Sequence, residues 1–200
     1  MSSVNIIVKP EAETPRPPPR ERILAAATEL FYRQGIRAVG VEAIAEAAGT
    51  NKMTLYRHFA SKDELVAECL RGFARHVEAA WSALAEAVPD PKARLRIWVR
   101  EVSNRVTDPG DRGCALVNAA VEIPEKDHPA RRVVEAFKSA QRDRLVGLCR
   151  QAGARDPAAL ADELFLLIEG ARVCAQSMGP KGPCCQLVRL GETVLQSHGA

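Results

Sequence analysis

Apolar positions recur along this chain with the period of a helix. Ile23, Ala26, Ala27, Leu30 and Phe31 fall at i, i+3, i+4, i+7 and i+8. They form one face of a helix that starts at Arg20 and ends at Gly35. A short second helix fits Val41 to Ala47, with Ile44, Ala45 and Ala48 turned inward and Gly49 breaking it. Asn51 is placed to cap a third short helix running through His58. Ser61 followed by Glu64 has capping-box spacing, with Ser61 as the cap and Glu64 reaching back. It opens a long helix towards Val88, which Pro89-Asp90-Pro91 closes. Further helices are predicted over Pro91–Val106, Cys114–Ile123, Pro129–Gln151 and Pro157–Met178, with a last one over 183–198. The segment Asp108-Pro109-Gly110 and the stretch Gly179-Pro180 to Pro183 read as turns. Nothing alternates with the period of a strand, so the fold class is all-α, and no internal repeat is visible.

Composition narrows the class. Of 200 residues, 46% are hydrophobic and 26% charged, as in an ordinary globular protein with a substantial core. Residues 1–19 stand apart as a Pro/Arg-rich tail, because Pro10, Pro15, Pro17, Pro18 and Pro19 cannot lie inside a helix. An inert arm, or one that reaches a DNA minor groove, both fit that composition. No apolar run approaches the roughly 18 residues of a membrane span, and the N-terminus lacks the pattern of a secretory signal. A cytoplasmic chain without a membrane partner is therefore expected. Six cysteines form neither a CxxC nor a zinc-finger spacing, which points to reduced, mostly buried thiols. No cofactor is implied. A metal held by Cys114, Glu122 and His128 lacks a close Cys/His pair to support it. No nucleophile–base pairing or phosphate loop points to an enzyme.

The formal charge of +3 is too small for a general polycation, so any nucleic-acid binding must rest on local placement. Residues 20–62 carry seven cations and four carboxylates, a local excess equal to that of the whole chain. Within them, two short helices meet at Gly49, and the second displays Lys52, Thr54, Tyr56, Arg57 and His58. That is a helix-turn-helix arrangement, whose second helix fits a DNA major groove.

Three stretches carry a more specific signal: Ala43-Ile44-Ala45-Glu46-Ala47-Ala48-Gly49, then Thr54-Leu55-Tyr56-Arg57-His58-Phe59, then Ser61-Lys62-Asp63-Glu64-Leu65. Together they resemble the DNA-binding domain of the tetracycline-repressor (TetR) family, over about a quarter of the chain. The resemblance implies a helix-turn-helix domain over 20–66 and an effector-binding and dimerisation domain over 67–200. It implies that Lys52, Met53 and Thr54 read base edges, and that Tyr56 and His58 meet phosphates of a double-stranded operator. Arg57 adds charge beside them, facing solvent or an ion pair. Lys62 would join the N–H groups opening the fourth helix as an anion site. Where many members carry Ser or Thr at the start of the second helix, this chain has Gly40-Val41.

The same resemblance implies a homodimer through residues 157–178 and 183–198, and a cavity for a small-molecule effector among the middle helices. Residues 112–135 are similar to a subgroup with a Gly-Cys-x-x-x-Asn-Ala-Ala-x-Glu pattern followed by His-Pro, here Gly113 to Glu122 and then His128-Pro129. Cys114, Asn118 and Glu122 fall at i, i+4 and i+8, a polar stripe on an apolar helix. Either it walls the effector pocket or it makes internal hydrogen bonds to neighbouring helices. Trp81, Trp98 and Phe137 are candidate apolar pocket walls, or plain core. The expected function is a transcriptional regulator, in the first instance a repressor. The alternative is a helical protein-binding adaptor that uses its helix-turn-helix structurally.

Overall fold

A computed structural model describes residues 16–200, and every regular element among them is helical. The elements are α1 Pro19–Gln34, α2 Val41–Ala47, α3 Lys52–His58, α4 Lys62–Ala87, α5 Pro91–Val106, α6 Ala115–Glu122, α7 Pro129–Gln151, α8 Pro157–Met178 and α9 Leu187–Ser197. Most of the expected tail, residues 1–15, lies outside the described residues. No helix among those described is long and apolar enough to cross a membrane.

Local chemistry sets the helix ends. Proline opens α1, α5, α7 and α8, where its missing N–H costs nothing. Asn51 Oδ1 accepts from the Thr54 N–H at 2.9 Å, and the Asp90 carboxylate accepts from Lys92 and Ala93. Ser61 Oγ accepts from the Glu64 N–H at 3.1 Å, so half of the expected capping box is present. The other half is not: the Glu64 carboxylate takes the Arg71 guanidinium at 2.8 Å, a charged donor that outcompetes a backbone N–H.

Two further differences concern helix starts. Cys114 adopts an extended backbone and stands as the N-cap, so α6 begins one residue late. The last segment is divided: Pro183–Gln186 forms a 3₁₀ turn, and α9 starts only at Leu187. Pro183 brings no N–H, and the tight bonds Gly182 N–H to Gly179 and Cys185 N–H to Gly182 hold this corner to an i→i+3 pattern.

Buried side chains gather in two cores. The first joins α1–α3 to the front of α4 through Ile23, Ile44, Leu55 and Leu65, and takes in Leu116 and Ala119 of α6 and Val134 of α7. The second packs the far end of α4 against α5, α7, α8 and α9 around Trp81, Leu95, Leu145, Leu164 and Leu195. Packing therefore does not break at residue 66; Val66, Cys69 and Leu70 still belong to the first core. The 26 residues of α4 span both cores, about 39 Å at the usual helical rise.

Candidate functional site

The turn between α2 and α3 depends on Gly49, whose φ of 60° suits a residue without Cβ. Beyond it, α3 divides cleanly by exposure. Leu55, with Phe59 just after the helix, is buried in the first core and anchors it. Lys52, Met53, Tyr56, Arg57 and His58 face outward, and Thr54 is half-buried. Met53 is 80% exposed. The outer face of α3 thus combines two cations, a phenol, an imidazole and a thioether, the groups that meet phosphates, base edges and thymine methyls.

Two of the cations expected to meet DNA, Lys52 of α3 and Lys62 of α4, make contacts within the chain. Lys52 Nζ lies 2.6 Å from Glu42 Oε1 across the turn. That contact raises the Lys52 pKa and lowers that of Glu42, each through the shared hydrogen bond first. Both groups are solvent-exposed, so the pair is weak and exchangeable. Lys62 turns inward instead: its Nζ donates to the Ile36 carbonyl at 2.7 Å and lies over the Phe31 ring. It ties α4 to the α1–α2 loop, beside the N–H groups with which it is expected to form an anion site.

The polar stripe expected on α6 is split by the late helix start. Cys114 is buried beside the central cavity, whereas Asn118 and Glu122 border an open groove between α1, α4 and α6. Asn118 Nδ2 donates to the Arg112 carbonyl at 2.8 Å, as does Gln176 of α8 at 2.7 Å. Glu122 Oε2 accepts from the Arg37 N–H at 3.0 Å. Its carboxylate sits against Gly35, where φ is 89° and an added Cβ would come within 3.1 Å of Oε2. Asn118 and Glu122 therefore make internal hydrogen bonds and line that groove, of about 1020 Å³, while Cys114 borders the central cavity. His128 caps α7, its Nδ1 accepting from the Ala130 N–H and its Nε2 facing Asp63 of α4 at 3.3 Å. The possible metal set of Cys114, Glu122 and His128 is thus committed to three separate tasks.

The loop 107–114 joins the two halves. Tyr32 of α1 donates its phenol proton to Asp111 Oδ1 at 2.8 Å and accepts from the Arg112 N–H at 2.8 Å. Burial, foremost, raises the Tyr32 pKa, so the phenol stays protonated at neutral pH and keeps its donor. Tyr32, Asp111, Gly113 and Cys114 also border the central cavity.

That cavity lies between α4, α5, α7 and α8 and has a volume of about 290 Å³. Trp81, Trp98, Cys114 and Phe137 meet there, four of the six residues expected to bind an effector. The two indoles are tilted by 39° with centroids 5.3 Å apart. Gln141 of α7 shares this wall; it is 7% exposed and its Oε1 has no hydrogen-bond partner. It was legible as a polar residue on the apolar face that carries Val134, Leu145 and Leu148. Tyr32 and Asp111 left no such signal, since they meet across 79 residues of sequence.

Residues 23–69 match the family model described as bacterial regulatory proteins, tetR family. The crystal structure of SCO4454, a TetR-family transcriptional regulator from Streptomyces coelicolor, superposes with a TM-score of 0.85 at 32% identity, covering 91% of this chain and 96% of that one. The transcriptional repressor KstR2 of Mycobacterium tuberculosis is 39% identical over 77 residues, 38% of each protein. The transcriptional activator FasR of Mycolicibacterium smegmatis is 40% identical over 85 residues, 41% of this chain and 37% of FasR. The matched segments thus span well under half of these two curated relatives.

Proposed function

This chain belongs to the TetR family of bacterial regulatory proteins, and from that premise we propose that it is a homodimeric transcriptional repressor released from its operator by a small molecule. The observation that carries the DNA-binding part is the outer face of α3. Leu55 and Phe59 fix the helix, so Lys52, Met53, Thr54, Tyr56, Arg57 and His58 project from a rigid base. Lys52, Met53 and Thr54, at the helix start, read bases; Tyr56, Arg57 and His58 hold phosphates. Lys62 acts through the position of α4.

An apolar face on the last helices supports dimerisation. Leu166, Gly170, Val173 and Ser177 line one exposed edge of α8 at helical spacing, and Val188 and Leu190 are exposed on α9. Such a face on a single chain is what a two-fold four-helix contact buries. Two DNA-reading heads then engage half-sites one turn apart. An effector in the central cavity touches the Tyr32–Asp111 contact directly, and through α1 biases the spacing of the heads.

The test uses fluorescence anisotropy with DNA fragments flanking the gene. Lys52→Ala combined with Tyr56→Ala should abolish specific binding while sedimentation shows an unchanged dimer. Undiminished binding by the double variant would remove this face of α3 as the DNA-reading element, and no specific binding by the wild-type protein would transfer support to the adaptor reading.

A further inference from the structure

The central cavity is selective in its chemistry, and we infer that it takes a compact, uncharged, planar effector of about two fused rings that hydrogen-bonds the Gln141 amide. This rests on the regulator reading above, since it names the ligand class of the same site.

Size comes first. An apolar cavity of roughly 150 Å³ accommodates benzene. The volume here, about 290 Å³, is close to twice that, room for a bicyclic ring system. Shape comes next. Trp81 and Trp98 form one wall, and Phe137 and Phe73 also line the space. Flat aromatic faces favour a flat partner in stacked or edge-on contact.

Charge is the third constraint. The four ionic groups of the wall, Glu101, Arg105, Asp111 and Arg172, sum to zero charge. The Arg172 guanidinium lies 2.6 Å from Glu169, which also holds Lys138 at 2.9 Å. Asp111 accepts from Tyr32 and from the Gly113 N–H. The remaining charged lining groups, Glu101 and Arg105, are exposed one turn apart on α5 and carry opposite signs. An ionised ligand would meet a lining of no net charge and would lose its hydration on entry.

Gln141 supplies the polar element. A buried amide with an unpartnered oxygen is costly in a folded protein. A ligand hydroxyl or ring N–H satisfies it, and orients the rings against the tryptophans.

The chain has two tryptophans, and both line this cavity, so its proton–nitrogen spectrum contains two indole N–H signals that report on it. The experiment titrates the full-length protein with 2-naphthol, naphthalene, 2-naphthoate and decanoate, by calorimetry and by those two signals. 2-Naphthol should shift both signals, with 2-naphthoate and decanoate binding at least about tenfold more weakly. Gln141→Leu should weaken 2-naphthol by about three- to tenfold and leave naphthalene unchanged or tighter. Trp98→Leu, thermal melting of each variant being checked, should abolish the response. Equal or tighter binding of 2-naphthoate or decanoate overturns the inference, as does a 2-naphthol affinity indifferent to Gln141→Leu. Anisotropy with DNA separates the two levels. DNA binding with no response to 2-naphthol sinks the ligand class alone. 2-Naphthol binding in a protein that never binds DNA sinks the regulator reading alone.

Discussion

Replacing Tyr32 by Phe removes one oxygen atom, two hydrogen bonds at 2.8 Å and a longer one to the Gly113 carbonyl at 3.4 Å, all between α1 and the loop 107–114. One bond goes to the carboxylate of Asp111; bonds to charged groups contribute about 1.5–3 kcal/mol when shielded, and neutral ones about 0.5–1.5 kcal/mol. Tyr32 is half-buried and Arg112 is exposed, so water can replace much of the backbone bond. The expected loss is then about 1–2 kcal/mol. With an m-value near ~3 kcal/mol per molar urea for a chain of this size, the unfolding midpoint should fall by ~0.5 M at fixed protein concentration. Asp111→Ala also loses the contact with the Gly113 N–H, so the single variants are not sufficient. A double-mutant cycle with Tyr32→Phe isolates the pair and should return a coupling of about 1 kcal/mol. Arg33→Ala, which breaks an exposed pair with Glu29 on the same helix, serves as control and should move stability by under about 0.5 kcal/mol. Strict additivity of Tyr32→Phe and Asp111→Ala would refute the contact as a link between the two halves. Wild-type stability of Tyr32→Phe would do the same.

Other consequences are equally accessible. Gly191 of α9 lies so close to α5 that a Cβ would come 2.8 Å from Val99 Cγ1; Gly191→Ala should lower stability by about 1–3 kcal/mol despite alanine's better helix propensity, as read by urea unfolding. Burial pushes the Cys69 and Cys149 thiols up to about 11, so at pH 8 a thiol reagent should label exposed Cys185 first and reach Cys69 and Cys149 only on unfolding. The Lys52 contact depresses the Glu42 pKa, so the pair is intact above the ordinary carboxylate range and is lost as pH falls through the lowered value; Lys52→Ala should return the Glu42 carboxyl NMR titration to its ordinary range. Glu42→Gln frees Lys52 and removes a carboxylate beside the DNA-reading face, so it should tighten DNA binding, most clearly at low salt.

The parts of this fold that were legible in sequence are those governed by neighbours along the chain. Asn51 and Ser61 announce the starts of α3 and α4, and Pro91, Pro129 and Pro157 those of α5, α7 and α8, because capping and proline effects act within one turn. The α3 face was legible for the same reason: Leu55 and Phe59, four residues apart, mark its inner side. What escaped was set by distant partners. The stripe Cys114, Asn118 and Glu122 has correct helical spacing only if the helix includes Cys114, and the Tyr32–Asp111 loop contacts beside it hold that residue outside. Glu64 satisfies the local rule for a reciprocal cap, but Arg71 two turns on offers a better donor. The division of the terminal helix at Leu187 follows from the Gly179–Pro183 corner, where prolines and glycines were read as a turn but their reach into the next residues was not.

In the proposed complex, two copies of α3 enter successive major grooves of duplex DNA. Hydroxyl-radical footprinting on fragments flanking the gene tests it most directly. The account predicts two protected patches related by a two-fold axis, centred about one helical turn or ~34–36 Å apart, and both lost in the Lys52→Ala, Tyr56→Ala protein. A single patch, or protection that persists in that variant, would contradict it.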